Sequence, residues 1–353
     1  MKICILADTH WGVRADSIVF HDYFKQTLNE FLFPTLRKHN VKKIIHLGDL
    51  VDRRKYVNFL TASRLREDFL DVVNKEFQMD LIIGNHDTFY KNTNETNSAN
   101  ELLEGKYENI SIFKDPVVAS DTGMDILYVP WICDDNKQIT LEFLDSAKAQ
   151  IVMGHLELSG FEMYKGHINT HGMTRSVFEK FDVVMSGHYH HKSNIGSVHY
   201  MGALCEHTWS DYNDPRGFHI FDTETRELEF FKNPFVMHQK IFYNDASKTI
   251  EQLFTEVPNV AGKIVKLVIQ EKTNPYFYDL FVAKLEEQQP YEIKSVEDHL
   301  NIVLEDDEEI LNEAEDTFSL FRGYVGQLEL EERKRNDVEK TILNLYNEAS
   351  QII

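Results

Sequence analysis

Residues 80–87 have the sequence DLIIGNHD, in which a short apolar run ends in polar side chains that can bind a metal ion. Apolar runs of this length, rich in Ile and Val, are typical of strands that are buried on both faces of a parallel sheet. The same arrangement recurs along the chain, which indicates several such strands with polar ends. The other occurrences are 2–10 (KICILADTH), 43–49 (KIIHLGD), 150–155 (QIVMGH) and 182–190 (DVVMSGHYH).

Helical patterns separate some of these strands. Residues 20–39 and 58–77 carry apolar side chains at the spacing of one helix face. Strands that alternate with helices predict an α/β layer architecture. Ligands in such sheets bind at the carboxyl ends of the strands, so we expect the polar side chains at the five strand ends to converge on one site.

Three units follow one another along the chain. Further short strands, the last of them near residue 231, are expected to complete a first domain, residues 1–235. Residues 236–300 read as strand, helix and strand, which predicts a small α+β domain. Residues 301–353 carry 14 acidic and 5 basic residues among amphipathic apolar positions. We interpret them as an acidic linker followed by helices.

Composition limits the class of protein. The 353-residue chain is 42% hydrophobic and can bury a large core, and no apolar run reaches the length of a membrane span. The N-terminus reads as a strand and not as a signal peptide, because the apolar run meets Asp8 after a few residues. Cys4, Cys133 and Cys205 are far apart, so we expect reduced thiols in a cytoplasmic protein. The net charge of -21 argues against nucleic acid as a substrate but does not exclude a local basic groove.

Seven polar side chains at the strand ends can bind metal ions. They combine carboxylate and amide oxygens with imidazole nitrogens and include no sulfur, which favours Mn²⁺, Fe or Zn²⁺ over a purely oxygen-bound Mg²⁺. A set of this size with one bridging carboxylate suits two metals about 3.5–4 Å apart, which activate a water and neutralise charge on a phosphoryl group. The expected ligands are Asp8, His10, Asp49 as the bridge, Asn85, His155, His188 and His190.

His86 follows Asn85 directly and therefore points elsewhere than the metal-binding side chains. We expect it to contact a phosphate oxygen or to give a proton to the leaving oxygen. Asp87 is expected to orient His86 or its neighbour. The basic cluster at residues 53–56 (RRKY) fits phosphate contacts and an ordinary solvated helix start equally well.

The five motifs, taken in order, resemble those of the calcineurin-like metallophosphoesterases. They are DxH at 8–10, GDxxD at 48–52, GNHD at 84–87, GH at 154–155 and GHxH at 187–190. The resemblance implies a four-layer α/β/β/α sandwich. It also implies that one metal binds Asp8, His10, Asp49 and His190, and that the other binds Asp49, Asn85, His155 and His188.

Within this superfamily the chain looks most like the SbcD branch, the nuclease subunits of a DNA repair and recombination complex, including their short phage versions. The similarity rests on the opening DTHWG at 8–12, on the small domain and helical tail after residue 235, and on NDPRGF at 213–218. Asp52 stands where archaeal and eukaryotic relatives usually have His, and the bacterial and phage branch has Asp. With His86, Asp52 is an expected catalytic residue.

The SbcD resemblance implies 3′–5′ exonuclease and single-strand endonuclease activity on DNA with two Mn²⁺ per subunit. It implies a homodimer, and the apolar face of 20–39 fits such an interface and a place in the core equally well. It also implies an SbcC-type coiled-coil ATPase partner that binds the C-terminal helices. Residues 236–300 would cap the active site and position DNA. The metal motifs alone also permit a phosphatase or a small-molecule phosphodiesterase that does not act on DNA. A structural subunit that recruits the ATPase to DNA is a third hypothesis, and the complete ligand set argues against it.

Overall fold

A computed structural model describes residues 1–297 of the chain. The predicted linker and helical tail, residues 301–353, lie outside the described residues. The apolar runs at the five motifs all form strands, because Ile, Val and Leu side chains can be buried on both faces of a sheet. The strands are β1 (Lys2–Leu6), β2 (Lys43–His46), β3 (Gln78–Ile82), β4 (Ile110–Phe113), β5 (Val117–Ala119), β6 (Ile126–Val129), β7 (Ile151–His155), β8 (Glu162–Tyr164), β9 (His167–Ile168), β10 (Val183–Gly187), β11 (Ser193–Ile195), β12 (Val198–Tyr200), β13 (Gly217–Asp222), β14 (Leu228–Lys232), β15 (His238–Asn244), β16 (Ile264–Glu271) and β17 (Glu292–Glu297).

Two long helices confirm the periodic segments predicted at 20–39 and 58–77. Helix α1 is α-helical over Ile18–Thr27 and Phe33–Lys38, with a π-helical stretch at Leu28–Leu32 between them. No helix in the described part of the chain has the length and apolar character needed to cross a lipid bilayer. The second long helix is α2 (Phe59–Arg64 and Asp71–Glu76, joined by the π-helical Leu65–Leu70), and the shorter α-helices are α3 (Ser98–Leu103), α4 (Lys137–Ser146), α5 (Ile250–Thr255) and α6 (Pro275–Glu286). Short helical turns lie at Val13–Asp16, Arg175–Phe178 and Trp209–Asp211.

Two six-stranded sheets form the centre of the molecule. The first has the order β14-β13-β1-β2-β3-β4, in which β1 to β4 are parallel and β13 and β14 are antiparallel additions at one edge. The second has the order β11-β12-β10-β7-β6-β5, in which the four central strands are parallel. The carboxyl ends of several neighbouring strands therefore lie side by side in each sheet, which is where α/β proteins bind ligands.

Three apolar clusters join the layers. Phe33 and Phe69 of α1 and α2 are buried against the outer face of the first sheet. Ile45 and Tyr128 belong to a second cluster, which fills the space between the two sheets. Leu144 of α4 is buried on the outer face of the second sheet. The resulting order of helices, sheet, sheet and helix confirms the predicted four-layer sandwich.

A third, smaller sheet follows the sandwich. Its strands are parallel in the order β15-β16-β17, with α5 and α6 in the connections. Its own core includes the buried Tyr243 and Phe281. The strand, helix and strand predicted after residue 260 are present as β16, α6 and β17. The sequence patterns did not indicate β15, whose alternating buried and partly exposed residues include three charged or amide side chains.

Candidate metal centre

The predicted metal-binding side chains meet where the parallel strands of the two sheets end. In the first sheet the neighbours β1, β2 and β3 lead to four of them, and in the second sheet the neighbours β7 and β10 lead to three. The strand order thus brings together side chains that are distant in the chain, such as His10 and His190, which are 180 residues apart. They are Asp8 and His10 after β1, Asp49 after β2, Asn85 after β3, His155 at the end of β7, and His188 and His190 after β10.

One group of side chains consists of Asp8, His10 and His190. Each offers a ligand atom, and these atoms all lie within 4.8 Å of one another. The Nε2 atoms of His10 and His190 are 3.0 Å apart. The carboxylate of Asp8 also accepts the backbone N–H of His188 at 2.9 Å, which ties the end of β1 to the end of β10.

A second group consists of Asp49, His155 and His188, whose ligand atoms also lie within 4.8 Å of one another. Asn85 Oδ1 completes it, at 2.8 Å from His155 Nε2 and 2.9 Å from His188 Nδ1. Asp49 Oδ2 is 3.4 Å from His155 Nε2 and 3.6 Å from His10 Nε2. Asp49 therefore lies between the two groups, where a bridging ligand is expected.

Burial and close charges shift the pKa values in this site. Burial, together with the negative charge of Asp49, raises the pKa of Asp8 to about 6. Burial acts in the same direction on Asp49, but the rings of His155, His86 and His10 outweigh it and hold the pKa of Asp49 well below its usual range. Burial would lower the pKa of His155, whereas Asp49 raises it to about 9. Buried carboxylate and amide oxygens in contact with imidazole nitrogens, without sulfur, fit divalent first-row cations.

The backbone is strained at four of these residues. Asp8, His10, Asp49 and His188 have φ angles of 50°, 44°, 55° and 91°, in the left-handed region that side chains other than glycine rarely adopt. Such strain persists only where the surrounding structure imposes it, and it is concentrated at functional sites. At these positions it lies at the strand ends, where the side chains of the two groups approach one another.

Glycines allow the strand ends to approach each other closely. A Cβ atom on Gly84 would lie 2.2 Å from Asp49 Oδ1, and a Cβ atom on Gly48 would lie 2.6 Å from His155 Nδ1. Gly48 also has a φ of 99°. The requirement for glycine at these two positions is therefore steric, because any side chain there would occupy the space of a predicted ligand.

Asp87 holds the backbone of two ligand loops. Its carboxylate accepts the N–H groups of Gly84, Asp49 and Leu50 at 2.9 Å each and that of Val51 at 3.3 Å. We expected Asp87 to orient His86 or its neighbour. The carboxylate instead binds backbone amides of the two neighbouring loops after β2 and β3, so Asp87 positions Asp49 through the main chain.

His86 lines the cleft beside the first group, with its ring centroid 4.7 Å from that of His10. We expected it to point away from the metal-binding side chains, but its ligand atom lies within 4.8 Å of those of His10 and Asp49, so it faces the same site. Its Nδ1 donates to the carbonyl oxygen of Asp52 at 2.6 Å, because a carbonyl oxygen can only accept. This leaves Nε2 for another partner, and burial lowers the pKa of the ring. The Asp52 carboxylate faces His10 instead, with Oδ1 3.6 Å from His10 Nδ1. Asp52 thus contacts both histidines, one through its backbone and one through its side chain.

The NDPRGF segment supports His190. The guanidinium of Arg216 is buried, pairs with Asp211 and with Asp214 Oδ2 at 3.2 Å, and donates to the carbonyl oxygen of His190. Asp214 in turn accepts from His191 Nδ1 at 2.9 Å. The segment that resembles phage subunits is therefore a buried ion-pair network that fixes the backbone of a predicted ligand.

A cleft of about 250 Å³ opens over both groups. The two arginines of the basic cluster at 53–56 have different surroundings. Arg54 lines the cleft, whereas Arg53 forms an ion pair with Asp16 at 2.7 Å. Lys91, Trp131 and Tyr164 also line the cleft. No motif marks these three residues in the sequence. Lys91 and Trp131 lie in loops after β3 and β6, and Tyr164 is the last residue of β8.

His207 is a further buried residue that the sequence did not indicate. Its ring centroid is 5.2 Å from that of His10 and 5.0 Å from that of His190. Neither of its ring nitrogens has a hydrogen-bond partner among residues 1–297. Burial, with the nearby His10 ring, holds its pKa well below the usual range, so the ring packs in its neutral form.

Known proteins resemble this chain along much of its length. Residues 1–192 match the family model described as calcineurin-like phosphoesterase. The chain is 30% identical to exonuclease subunit 1 of Enterobacteria phage T4, across 99% of this chain and 100% of that protein. It is also 26% identical to each of two SbcD subunits of the SbcCD nuclease, one from Staphylococcus saprophyticus and one from Staphylococcus epidermidis. Each of these two alignments covers 65% of this chain and 67% of the staphylococcal protein.

Proposed function

The chain belongs to the calcineurin-like phosphoesterase family, and from this premise we propose that it is the nuclease subunit of a DNA-processing complex. The observation that carries the proposal is the convergence of seven side chains that can bind a metal ion beside His86, under one open cleft. The names of the relatives support the nuclease assignment, since the phage protein is called an exonuclease subunit and the staphylococcal proteins are called nuclease subunits.

The proposed ligands form two sets that share Asp49. The first set is Asp8, His10, Asp49 and His190, and the second is Asp49, Asn85, His155 and His188. The mixture of nitrogen and oxygen donors favours Mn²⁺. Two divalent cations bound there would supply an activated water and neutralise charge on the phosphoryl group.

His86 is the proposed catalytic residue of the chain itself. Its Nδ1–H donates to the carbonyl oxygen of Asp52, so Nε2 is the nitrogen left for the substrate. In the imidazolium form, in which Nε2 has bound a proton from solvent, it can donate to a phosphate oxygen or pass that proton to the leaving oxygen, which returns the ring to its neutral form. Asp52 has a positioning role in this proposal, because its carbonyl fixes the His86 ring and its carboxylate lies beside His10.

The proposal is tested with purified protein and end-labelled linear DNA, with and without Mn²⁺. We expect degradation that needs the metal. The His86→Ala variant should lower kcat by about 10²- to 10⁴-fold, the usual contribution of one positioned proton-transfer group, while Mn²⁺ affinity measured by calorimetry stays within a few-fold. A matched control is His171→Ala, which removes an exposed histidine from a loop.

Other outcomes separate the competing functions. Hydrolysis of bis-nitrophenyl phosphate without any cleavage of DNA would favour a phosphatase or small-molecule phosphodiesterase. DNA cleavage that is unaffected by His86→Ala would remove His86 from the mechanism. DNA binding without hydrolysis of any phosphodiester would favour the structural subunit.

We also propose the domain roles that the sequence predicted. Residues 1–235 carry the metal centre, and residues 236–300 cap it. The C-terminal residues 301–353 bind an SbcC-type ATPase, and two copies of the chain form a homodimer. The word subunit in the names of the relatives supports an assembly of this kind. To test binding of the ATPase, we expect the ATPase to copurify with the full chain but not with a chain that ends at residue 300. Sedimentation of the purified protein would test whether two copies form a homodimer.

A further inference from the structure

Arg54 is a partly buried cation in the cleft, and it has no anionic partner in the part of the chain that the structure describes. Its Nη1 donates a hydrogen bond to the hydroxyl of Thr88, at 3.2 Å. It forms no ion pair with any carboxylate among residues 1–297, whereas the adjacent Arg53 is paired with Asp16. A buried charge without a counter-charge is costly, and it is retained where a ligand supplies the counter-charge.

The guanidinium is held in a defined place relative to the metal centre. Thr88, which accepts its hydrogen bond, donates to the carbonyl oxygen of Asn85 at 3.0 Å, so Arg54 is linked to the loop that carries Asn85 and His86. The negative charges of Asp49 and Asp87 act on Arg54 without pairing with it. Arg54 therefore lies at the margin of the centre, with most of its N–H donors available to a ligand in the cleft.

A guanidinium in this position suits a phosphate group, since its planar fork of donors matches phosphate oxygens. Lys91 is exposed and lines the same cleft, and it also forms no ion pair among the described residues. The metal centre is expected to bind one phosphate of the substrate. The two positive side chains beside it can therefore bind a further phosphate of the same substrate. A single phosphate ester would fill the centre and leave Arg54 without an anion.

We propose that Arg54 binds the phosphate next to the one being cleaved, so that the cleft selects a chain of phosphodiesters over a single phosphate ester. This inference rests on the proposed nuclease function and names the part of the substrate that the site recognises. Because Arg54 contacts the phosphate and not the base, the selection is independent of nucleotide sequence.

The first test compares two substrates of the Mn²⁺-loaded enzyme, a single-stranded oligonucleotide and bis-nitrophenyl phosphate, which has one phosphate. In Arg54→Ala, the ratio of kcat/KM for the oligonucleotide to kcat/KM for the small ester should fall about tenfold or more, the usual effect of losing a charge-assisted bond. Arg54→Lys keeps the charge and should recover part of the loss. Arg53→Ala, which removes the neighbouring paired arginine, should leave the ratio unchanged.

A second test needs no catalysis. Binding of the oligonucleotide is followed by fluorescence anisotropy in EDTA over a range of salt concentrations. Each phosphate contact to single-stranded nucleic acid contributes about 0.7 to the slope of log K against log salt, so Arg54→Ala should make the slope shallower by about that amount. The slope of Arg53→Ala should equal that of the wild type.

Two results would overturn the inference. An equal fall in turnover of both substrates would place Arg54 on the scissile phosphate or in support of the metal centre. A wild-type slope in Arg54→Ala would exclude a phosphate contact. Failure of the proposed function looks different, because the wild type would then hydrolyse the small ester but not the oligonucleotide, and the salt slope would still decide whether Arg54 contacts phosphate.

Discussion

The Asp87→Asn substitution tests whether this carboxylate builds the metal centre through the backbone. The change keeps the size of the side chain but replaces one oxygen by an NH₂ group. If the NH₂ group replaces the oxygen that accepts from the N–H groups of Asp49 and Gly84, it cannot accept a hydrogen bond, because NH₂ is itself a donor. Both bonds of 2.9 Å are then lost. A lost bond to a buried charged group costs about 1.5–3 kcal/mol, so the free energy of unfolding should fall by about 3–6 kcal/mol.

The same substitution should weaken metal binding, because the Asp49 backbone is no longer fixed. Removing a group that orients a ligand typically lowers metal affinity by about 10- to 100-fold. Unfolding in urea, followed by fluorescence without metal, gives the stability change, and calorimetric titration with Mn²⁺ gives the affinity. Asp245→Asn is a matched control, because Asp245, directly after β15, is a buried carboxylate that accepts the N–H groups of Thr273 and Asn274. This control should also lose stability but should bind Mn²⁺ as the wild type does.

The comparison of the two variants separates stability from site construction. If the free energy of unfolding of Asp87→Asn is within about 1 kcal/mol of the wild-type value, the hydrogen bonds from Asp87 to the backbone do not contribute the stability assigned to them. If it loses stability but binds Mn²⁺ with unchanged affinity, Asp87 stabilises the fold without positioning Asp49. A loss of affinity in Asp245→Asn would show that any destabilisation impairs the centre.

Three further predictions follow from the same geometry. Gly84→Ala should reduce Mn²⁺ affinity by at least about 100-fold in calorimetry, because the new Cβ would lie 2.2 Å from Asp49 Oδ1, and normal affinity would refute the close approach. Mn²⁺ at about 100 times its Kd should stabilise the wild type by about 2.7 kcal/mol in thermal unfolding, chelator should remove the gain, and Asp49→Ala should abolish it. Burial, with the nearby Lys192 and His199 charges, lowers the pKa of His219 to about 3, so the unfolded chain binds the extra proton between that pH and about 6.5. The stability that neutral His219 contributes is therefore complete above pH 6.5 and is lost as the pH falls toward 3. Between pH 7.5 and pH 5, the free energy of unfolding of His219→Phe, measured in urea titrations, should fall by about 2 kcal/mol less than that of the wild type. An equal fall in both proteins would contradict the assignment.

Much of the fold and of the site is encoded locally in the sequence. The runs before Asp8, Asp49, Asn85, His155 and His188 form strands, because a few consecutive apolar residues suffice to define a buried strand. The two long helices follow from apolar residues at helical spacing. Since parallel strands bring their carboxyl ends together, the convergence of the polar residues at those ends was also predictable.

Packing alone decided which neighbouring side chains take part in the site. Arg53 and Arg54 are adjacent and chemically identical, yet one pairs with Asp16 and the other lines the cleft, because the direction of each side chain depends on the loop that carries it. Asp87 was expected to serve a side chain and instead binds the backbone of two loops.

The least predictable contacts are those that join distant parts of the chain without a motif. His207 lies against His10, and Arg216 holds the carbonyl of His190, only because two sheets stack with their strand ends aligned. A sequence pattern records the preference of each segment for its own conformation and the burial of its faces. Partners far away in the chain are selected by the shape and charge of the assembled layers, so the supports of the metal centre became visible only in the tertiary structure.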